Sequence, residues 1–292
     1  MTMDYAYYPG CSLESTSPDF NISTNALIKF LDLGIDEIPD WTCCGASALH
    51  PQDKLLSVAL PALTIESANK IKKDIMVQCP ACLAHLKESR NVISEGGELA
   101  EQRSKILEGH DISPNINIKH FSEILLNEYG LGNLQDKVVR KLNGLKVVCY
   151  YGCVIVRPKK LMQYDDPENP TIMDKLISIT GADVLDWPFK TRCCGASYSI
   201  SRVDVVYDLT YEILSMAKKV EANAISVLCP LCHVNLDLRQ KAIEQRYGEK
   251  FNLPVFYYTQ LLGLSFGIDP KELALDRLFV SPFPLLESNN LI

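Results

Sequence analysis

The sequence predicts an α/β protein made of two pseudo-symmetric halves, residues 1–143 and 144–292, each a small parallel sheet flanked by helices. Three observations carry that expectation. Short apolar runs alternate with longer stretches of helical periodicity, the pattern of parallel strands joined by crossover helices. The chain also repeats itself: Cys43-Cys-Gly-Ala-Ser47 recurs unchanged as Cys193-Cys-Gly-Ala-Ser197, and Cys79-Pro-Ala-Cys82 recurs as Cys229-Pro-Leu-Cys232. In both halves 34 residues lie between the cysteine pair and the later C-x-x-C. Finally, 292 residues with 47% hydrophobic and 22% charged content suffice for two medium-sized cores.

Taken in order, Tyr7-Tyr8-Pro-Gly-Cys11 is echoed by Tyr150-Tyr151-Gly-Cys153, each closing an apolar run. Residues 75–78, 145–150 and 224–228 read as strands running into cysteines, whereas 21–33, 55–72, 171–180 and 203–220 carry helical periodicity. After each C-x-x-C a short β-type run, at His120 and at Tyr257, meets Ser122 or Thr259 as the expected helix N-cap. Asn143-Gly144 divides the halves. Between the lead cysteine and the pair lie 31 residues in the first half but 39 in the second, which an inserted turn-rich loop, Tyr164 to Pro170, explains; that loop is placed at the rim of the second site. In the tail, Asp269-Pro-Lys-Glu272 reads as a helix start, and Ser281-Pro-Phe-Pro284 as packed or partner-bound chain rather than helix.

Ten of the eleven cysteines fall into two five-membered sets. One is Cys11, Cys43, Cys44, Cys79 and Cys82; the other is Cys153, Cys193, Cys194, Cys229 and Cys232. A tetrahedral zinc closes at four ligands, whereas a multi-iron cluster has several metal corners and can use every sulfur, so the count favours iron and sulfide over a zinc scaffold. In C-P-x-C the proline presets a turn that brings two sulfurs to one centre, and the helix that follows points its positive end at an anionic cluster. Neighbouring side chains on extended chain point to opposite faces, so the glycine after each cysteine pair is expected to permit a turn that aims both sulfurs at one centre. The eleventh cysteine, Cys149, ends an apolar strand and reads as a small buried residue. His85 and His233, close behind the C-x-x-C pairs, read as hydrogen-bonding or helix-surface residues rather than ligands.

A formal charge of −7 excludes the basic footprint of a nucleic-acid partner. No apolar run is long enough to span a membrane, and the opening Met1-Thr-Met-Asp-Tyr lacks the basic and apolar regions of a signal peptide. The expectation is a cytoplasmic protein in which closely spaced thiols serve metal or redox chemistry rather than a disulfide framework.

These motifs resemble the CCG-domain family over almost the whole chain. Two copies standing alone, with Tyr-Tyr-Pro-Gly-Cys11, Cys-Cys-Gly-Ala-Ser, Cys-Pro-Leu-Cys232 and the Gln260-to-Asp269 run, look like the B-subunit group of heterodisulfide reductases. The resemblance implies two noncubane [4Fe-4S] clusters, one on each cysteine set, at the C-terminal edges of the sheets. It implies an oxidoreductase of methanogenesis that reduces the CoM-S-S-CoB disulfide to coenzyme M and coenzyme B thiols at cluster-bound iron, with no separate catalytic side chain. Those substrates carry a sulfonate and a phosphate, which makes Arg157, Lys159, Lys160, Lys190 and Arg192 the candidate substrate-binding residues. The implied partners are the ferredoxin-like C subunit and the flavin-containing A subunit of such a reductase, and through the latter a hydrogenase or formate dehydrogenase. The alternative is a component of another electron-transfer or flavin-bifurcating complex, acting on a different disulfide or serving only as a relay. Some electron-relay relatives fuse a ferredoxin segment of C-x2-C-x2-C-x3-C-P spacing, and no such run is present here.

Overall fold

The computed structural model describes residues 3–46 and 53–292; Ser47 of the first repeat lies outside them. Strands β1 (Tyr5–Tyr8), β2 (Asp36–Glu37), β3 (Asp74–Val77) and β4 (Ile118–His120) form one parallel sheet in the order β2-β1-β3-β4. Strands β5 (Lys146–Tyr150), β6 (Asp183–Leu185), β7 (Ala224–Val227) and β8 (Val255–Tyr257) repeat that order as β6-β5-β7-β8, again all parallel. Tyr8 pairs with Val77 and Tyr150 with Val227, so the structural equivalent of Tyr8 is Tyr150, not Tyr151 as the repeated Tyr-Tyr suggests. Helices cover both faces of these central strands, which explains why they read as unbroken apolar runs.

Strand order places the site. In each sheet the chain leaves the first strand toward one neighbour and later crosses to the other side, so the direction of winding reverses between β1 and β3, and between β5 and β7. Loops after those paired strands diverge there and leave a crevice at the C-terminal edge. Cys11 follows β1 and Cys79 follows β3; Cys153 and Cys229 follow β5 and β7.

The periodic segments are helical at Pro18–Phe30, Lys54–Lys70, Ile172–Ser178 and Val203–Lys219. The caps differ from expectation. The helix after β4 begins at Phe121 with His120 as N-cap: its ring accepts from the Ser122 amide, and Glu123 reaches back to the His120 amide. After β8 the cap is Tyr257, whose amide is taken by Gln260. Ser122 and Thr259 are freed for links between the halves, Ser122 to the Tyr164 hydroxyl at 2.7 Å and Thr259 to Ser23 at 2.8 Å. In the tail, Asp269-Pro-Lys-Glu272 forms turns that end at Ala274, φ 54°, and a short 3-10 segment follows. The helix forms later, at Phe283–Ser288, where Pro282 supplies the N-cap and Pro284 lies in the first turn, so Ser281-Pro-Phe-Pro284 starts a helix instead of avoiding one.

The halves share one buried core. Phe20 stacks on Tyr257 at 4.0 Å, Gln78 bridges Thr24 and the Tyr258 hydroxyl, and the Lys87 ammonium donates to the Met162 carbonyl. The helix Gly10–Glu14 carrying Cys11 packs on the helix Pro230–Leu236 carrying Cys232, and Pro80–Glu95 packs on Lys159–Met162 beyond Cys153.

Candidate metal centre

Each cysteine constellation is assembled from three loops by the same devices. Gly10 and Gly152, both at φ 70°, turn the chain out of β1 and β5; a Cβ on Gly152 would stand 2.9 Å from the Cys232 sulfur, so only glycine fits beside it. Cys79 and Cys229 cap the helices Pro80–Glu95 and Pro230–Leu236, whose prolines occupy the first turn and give up an amide that had no helical partner. Cys82 and Cys232 then project from that turn beside them.

The cysteine pairs are bent as their glycines require. Gly45 at φ 74° and Gly195 at φ 78° fold back so that their amides donate to Cys43 Sγ at 3.5 Å and Cys193 Sγ at 3.3 Å. Both sulfurs of each pair thereby join the constellation. Cys43 Sγ lies 3.7 Å from Cys11 Sγ and Cys44 Sγ 3.3 Å from Cys82 Sγ; in the second site Cys194 Sγ lies 3.5 Å from Cys232 Sγ, and Cys193 bonds Cys153. Cys44, Cys79 and Cys82 are buried beneath Cys11 and Cys43, and Cys194, Cys229 and Cys232 beneath Cys153 and Cys193.

Tyrosines to which the sequence assigned no role hold the pairs in place. The Tyr8 hydroxyl donates to the carbonyl of Thr42 and the Tyr150 hydroxyl to that of Arg192, the residues immediately ahead of each pair. The available signal was a tyrosine three residues before the lead cysteine in both halves. Asn235 adds a donor to the Cys194 sulfur at 3.5 Å and to its carbonyl.

Electrostatics sort the thiols. Hydrogen bonding from Cys82, together with backbone amides of Cys82 and Ala81, holds Cys79 below the ordinary thiol range, the expected effect of a helix N-terminus. The Cys153 hydrogen bond brings Cys193 down to about 6, and the Cys43 thiolate pushes Cys44 up to about 12. All eleven cysteines are free thiols, and among the described residues no His, Cys, Asp or Glu group is arranged around a single metal ion. Five sulfurs per site, joined among the described residues by no carboxylate or imidazole, fit a multi-iron cluster and exceed what one zinc employs.

Residues 5–87 and 147–237 match the family described as CCG, cysteine-rich domain. The chain belongs to the CCG cysteine-rich domain family. It is 28% identical over 277 residues to an 8-methylmenaquinol:fumarate reductase membrane anchor subunit of Wolinella succinogenes, covering 95% of this chain and 97% of that one. It is 27% identical over 273 residues to the B subunit of a ferredoxin:CoB-CoM heterodisulfide reductase of Methanosarcina mazei, covering 92% and 91%. A protein of Archaeoglobus profundus described as like the heterodisulfide reductase B subunit is 23% identical, covering 92% and 93%. These CCG relatives are subunits of oxidoreductases, and with the donor set they point to iron–sulfur clusters. The fold also resembles a hypothetical protein from Helicobacter pylori, with a TM-score of 0.72 at 8% identity; it covers 95% of this chain and 52% of that one. No helix among the described residues is long and apolar enough to cross a membrane.

The basic candidates scatter. Lys190 is buried, its ammonium 2.8 Å from Asp174 and bonded to the Pro170 carbonyl, so it fastens the inserted loop. Arg157 bonds Glu168 and the Pro167 carbonyl of that loop, while Arg192 pairs with Glu212 above the Phe189 ring. Lys159 and Lys160 sit exposed on their short helix. Cys149 is fully buried, with its carbonyl bonded by Trp187. His233 stacks on Tyr257 and bonds the Val255 carbonyl at 2.9 Å. His85 is buried.

Proposed function

We propose that this chain is the catalytic B subunit of a heterodisulfide reductase, reducing CoM-S-S-CoB to the two thiols, with one noncubane [4Fe-4S] cluster on Cys11, Cys43, Cys44, Cys79 and Cys82 and another on Cys153, Cys193, Cys194, Cys229 and Cys232. The observation that carries this reading is the cross-packing of the duplicated sites: the helix bearing Cys11 lies against the helix bearing Cys232. A disulfide accepts two electrons while iron–sulfur centres deliver them singly, so two centres on one seam suit the reaction. When bound, the clusters supply one-electron steps and iron positions open to substrate sulfur.

The chain's own residues do the rest. Cys11 and Cys193 stand exposed at the mouths, so sulfur can approach from solvent, while the buried cysteines keep water from the inner sides. Lys159 and Lys160 offer exposed cations with no carboxylate in ion-pair distance among the described residues, although the field of Lys159 reaches Asp166, and Arg157 and Arg192 offer half-exposed guanidinium groups for a sulfonate or phosphate. Electrons would come from a ferredoxin-like C subunit and a flavin-containing A subunit linked to a hydrogenase or formate dehydrogenase, in a cytoplasmic complex.

EPR of anaerobically purified, oxidised, iron-replete protein titrated separately with coenzyme M and coenzyme B tests the reading. A paramagnetic signal that requires one or both thiols supports it; unchanged spectra with both defeat it. A second reading, an electron relay within another complex, is favoured by one observation: Arg157, Lys190 and Arg192 are each matched by a carboxylate, which weakens the pull on an anionic substrate. The Wolinella relative is named as the membrane anchor subunit of a reductase that acts on fumarate rather than on a disulfide.

A further inference from the structure

A cavity of about 440 Å³ opens at the seam between the halves, apart from the cysteine constellations but beside both. Pro18 and Asp19, just beyond the helix bearing Cys11, form one wall. His233 and Val234, directly after Cys232, form the opposite wall, and the tail closes it with Arg277 and Phe279. No role in the cysteine sites accounts for it.

Its polar end is small and defined. The Asp19 residue is only 6% exposed; its carboxyl is held by the Phe20 amide, and among the described residues no side chain bonds or ion-pairs with it. Arg277, exposed and without a carboxylate in ion-pair distance among the described residues, is the cation whose field reaches it. Thr16 and His233 also line the cavity, their polar atoms engaged by the Ser12 and Val255 carbonyls, and the rest of the lining is apolar. Val234 and Leu238, four residues apart, share one face of the Pro230–Leu236 helix and its continuation. Leu238 is 44% and Phe279 70% exposed at the mouth, an arrangement that leaves apolar surface in water unless something covers it.

We infer that this seam cavity binds a neutral hydroxyaromatic compound of about naphthol size, its hydroxyl donating to Asp19 and its rings lying against Leu238 and Phe279. A head of single charge suits this polar end poorly. An anionic head would meet the Asp19 carboxylate, and a cationic head would meet Arg277. A hydroxyl has one proton to donate and lone pairs to receive from a guanidinium, so it satisfies both. Burial pushes the Asp19 carboxyl up to about 6, which still leaves it mainly an acceptor at neutral pH. The volume falls in the range of small-molecule sites, in which apolar walls and a few polar groups fix orientation. This inference does not depend on the disulfide reading.

Equilibrium dialysis of the anaerobic, iron-replete protein against 2-naphthol and the matched anion 2-naphthoate tests it. Saturable binding of one naphthol per chain is expected, roughly tenfold or more tighter than naphthoate, as a hydrogen bond to a charged acceptor implies. Phe279→Ala, a change at an exposed position, should weaken naphthol binding by about fivefold or more through lost ring contact, with iron content unchanged. Asp19→Asn should narrow the difference between the two probes. Absence of saturable binding, naphthoate binding as tight as naphthol, or wild-type affinity in Phe279→Ala would each overturn the inference. Iron content measured on every sample separates these outcomes from a failure of the cysteine sites.

Discussion

Replacing Gly152 by alanine should cost the second site its metal, and the structure sets the size of the effect. Gly152 has φ 70°, and its added Cβ would meet the Cys232 sulfur at 2.9 Å. Ordinary contacts optimise near 3.5–4.0 Å, so the sulfur or the end of β5 must retreat by roughly half an ångström or more. Metal–ligand distances tolerate about ±0.2 Å. Gly248 supplies the control, because it has φ 69° with nothing within 4 Å of a built Cβ. Both substitutions carry the left-handed backbone penalty, about 1–2 kcal/mol, which lowers Tm by roughly 2–8 °C in a chain of this size. Only Gly152→Ala adds the collision with a sulfur. With iron per chain and thermal unfolding measured on anaerobic preparations, Gly248→Ala should retain full iron, whereas Gly152→Ala should fall to about half. Full iron in Gly152→Ala would refute the assignment of Cys232 as a ligand held at that spot.

Other consequences follow from the same geometry. Cys149→Ala should retain all iron, because this thiol lies buried outside both constellations, and should cost on the order of 1 kcal/mol for a small cavity; Cys229→Ala should lose the second site's iron. Burial holds the His120 imidazole neutral and brings its pKa down to about 4. The unfolded state therefore takes up the proton first, near pH 6.5, and native stability declines as pH falls from there to about 4, by at most about 1.4 kcal/mol per pH unit; His120→Gln should flatten that slope in denaturant titrations. The Asp237 carboxylate accepts the amides of Phe279 and Val280 at 2.7 and 2.9 Å and so ties the tail to the Pro230–Leu236 helix. Asp237→Ala should speed hydrogen exchange across residues 279–288 while β7 stays protected, and equal acceleration in both would contradict that role.

Much of the site was legible because its chemistry is written locally. Pro80 and Pro230 start their helices where the C-P-x-C motif says they should, and Gly45 and Gly195 take the left-handed conformation that the adjacent cysteines require. The central strands were readable because burial on both faces favours apolar residues, with Ser226 the buried exception in β7. The N-caps were misplaced by the usual preference for Ser and Thr, since His120 caps with its ring and Ser122 is used between the halves instead. The pairing of Tyr7-Tyr8 with Tyr150-Tyr151 slipped by one residue because strand register depends on the partner strand, which the local motif does not contain.

By itself the sequence determined the duplication, the two sets of five thiols, the parallel α/β class and the helices that follow each C-x-x-C, all consequences of spacing and periodicity along one chain. Tertiary structure alone decided what meets across distance. It put the Cys11 helix against the Cys232 helix, withdrew Lys190 from the candidate entrance by pairing it with Asp174, and opened the seam cavity around Asp19. The physical reason is common to all three: burial and pairing are properties of two surfaces brought together, and neither surface records its partner in its own sequence.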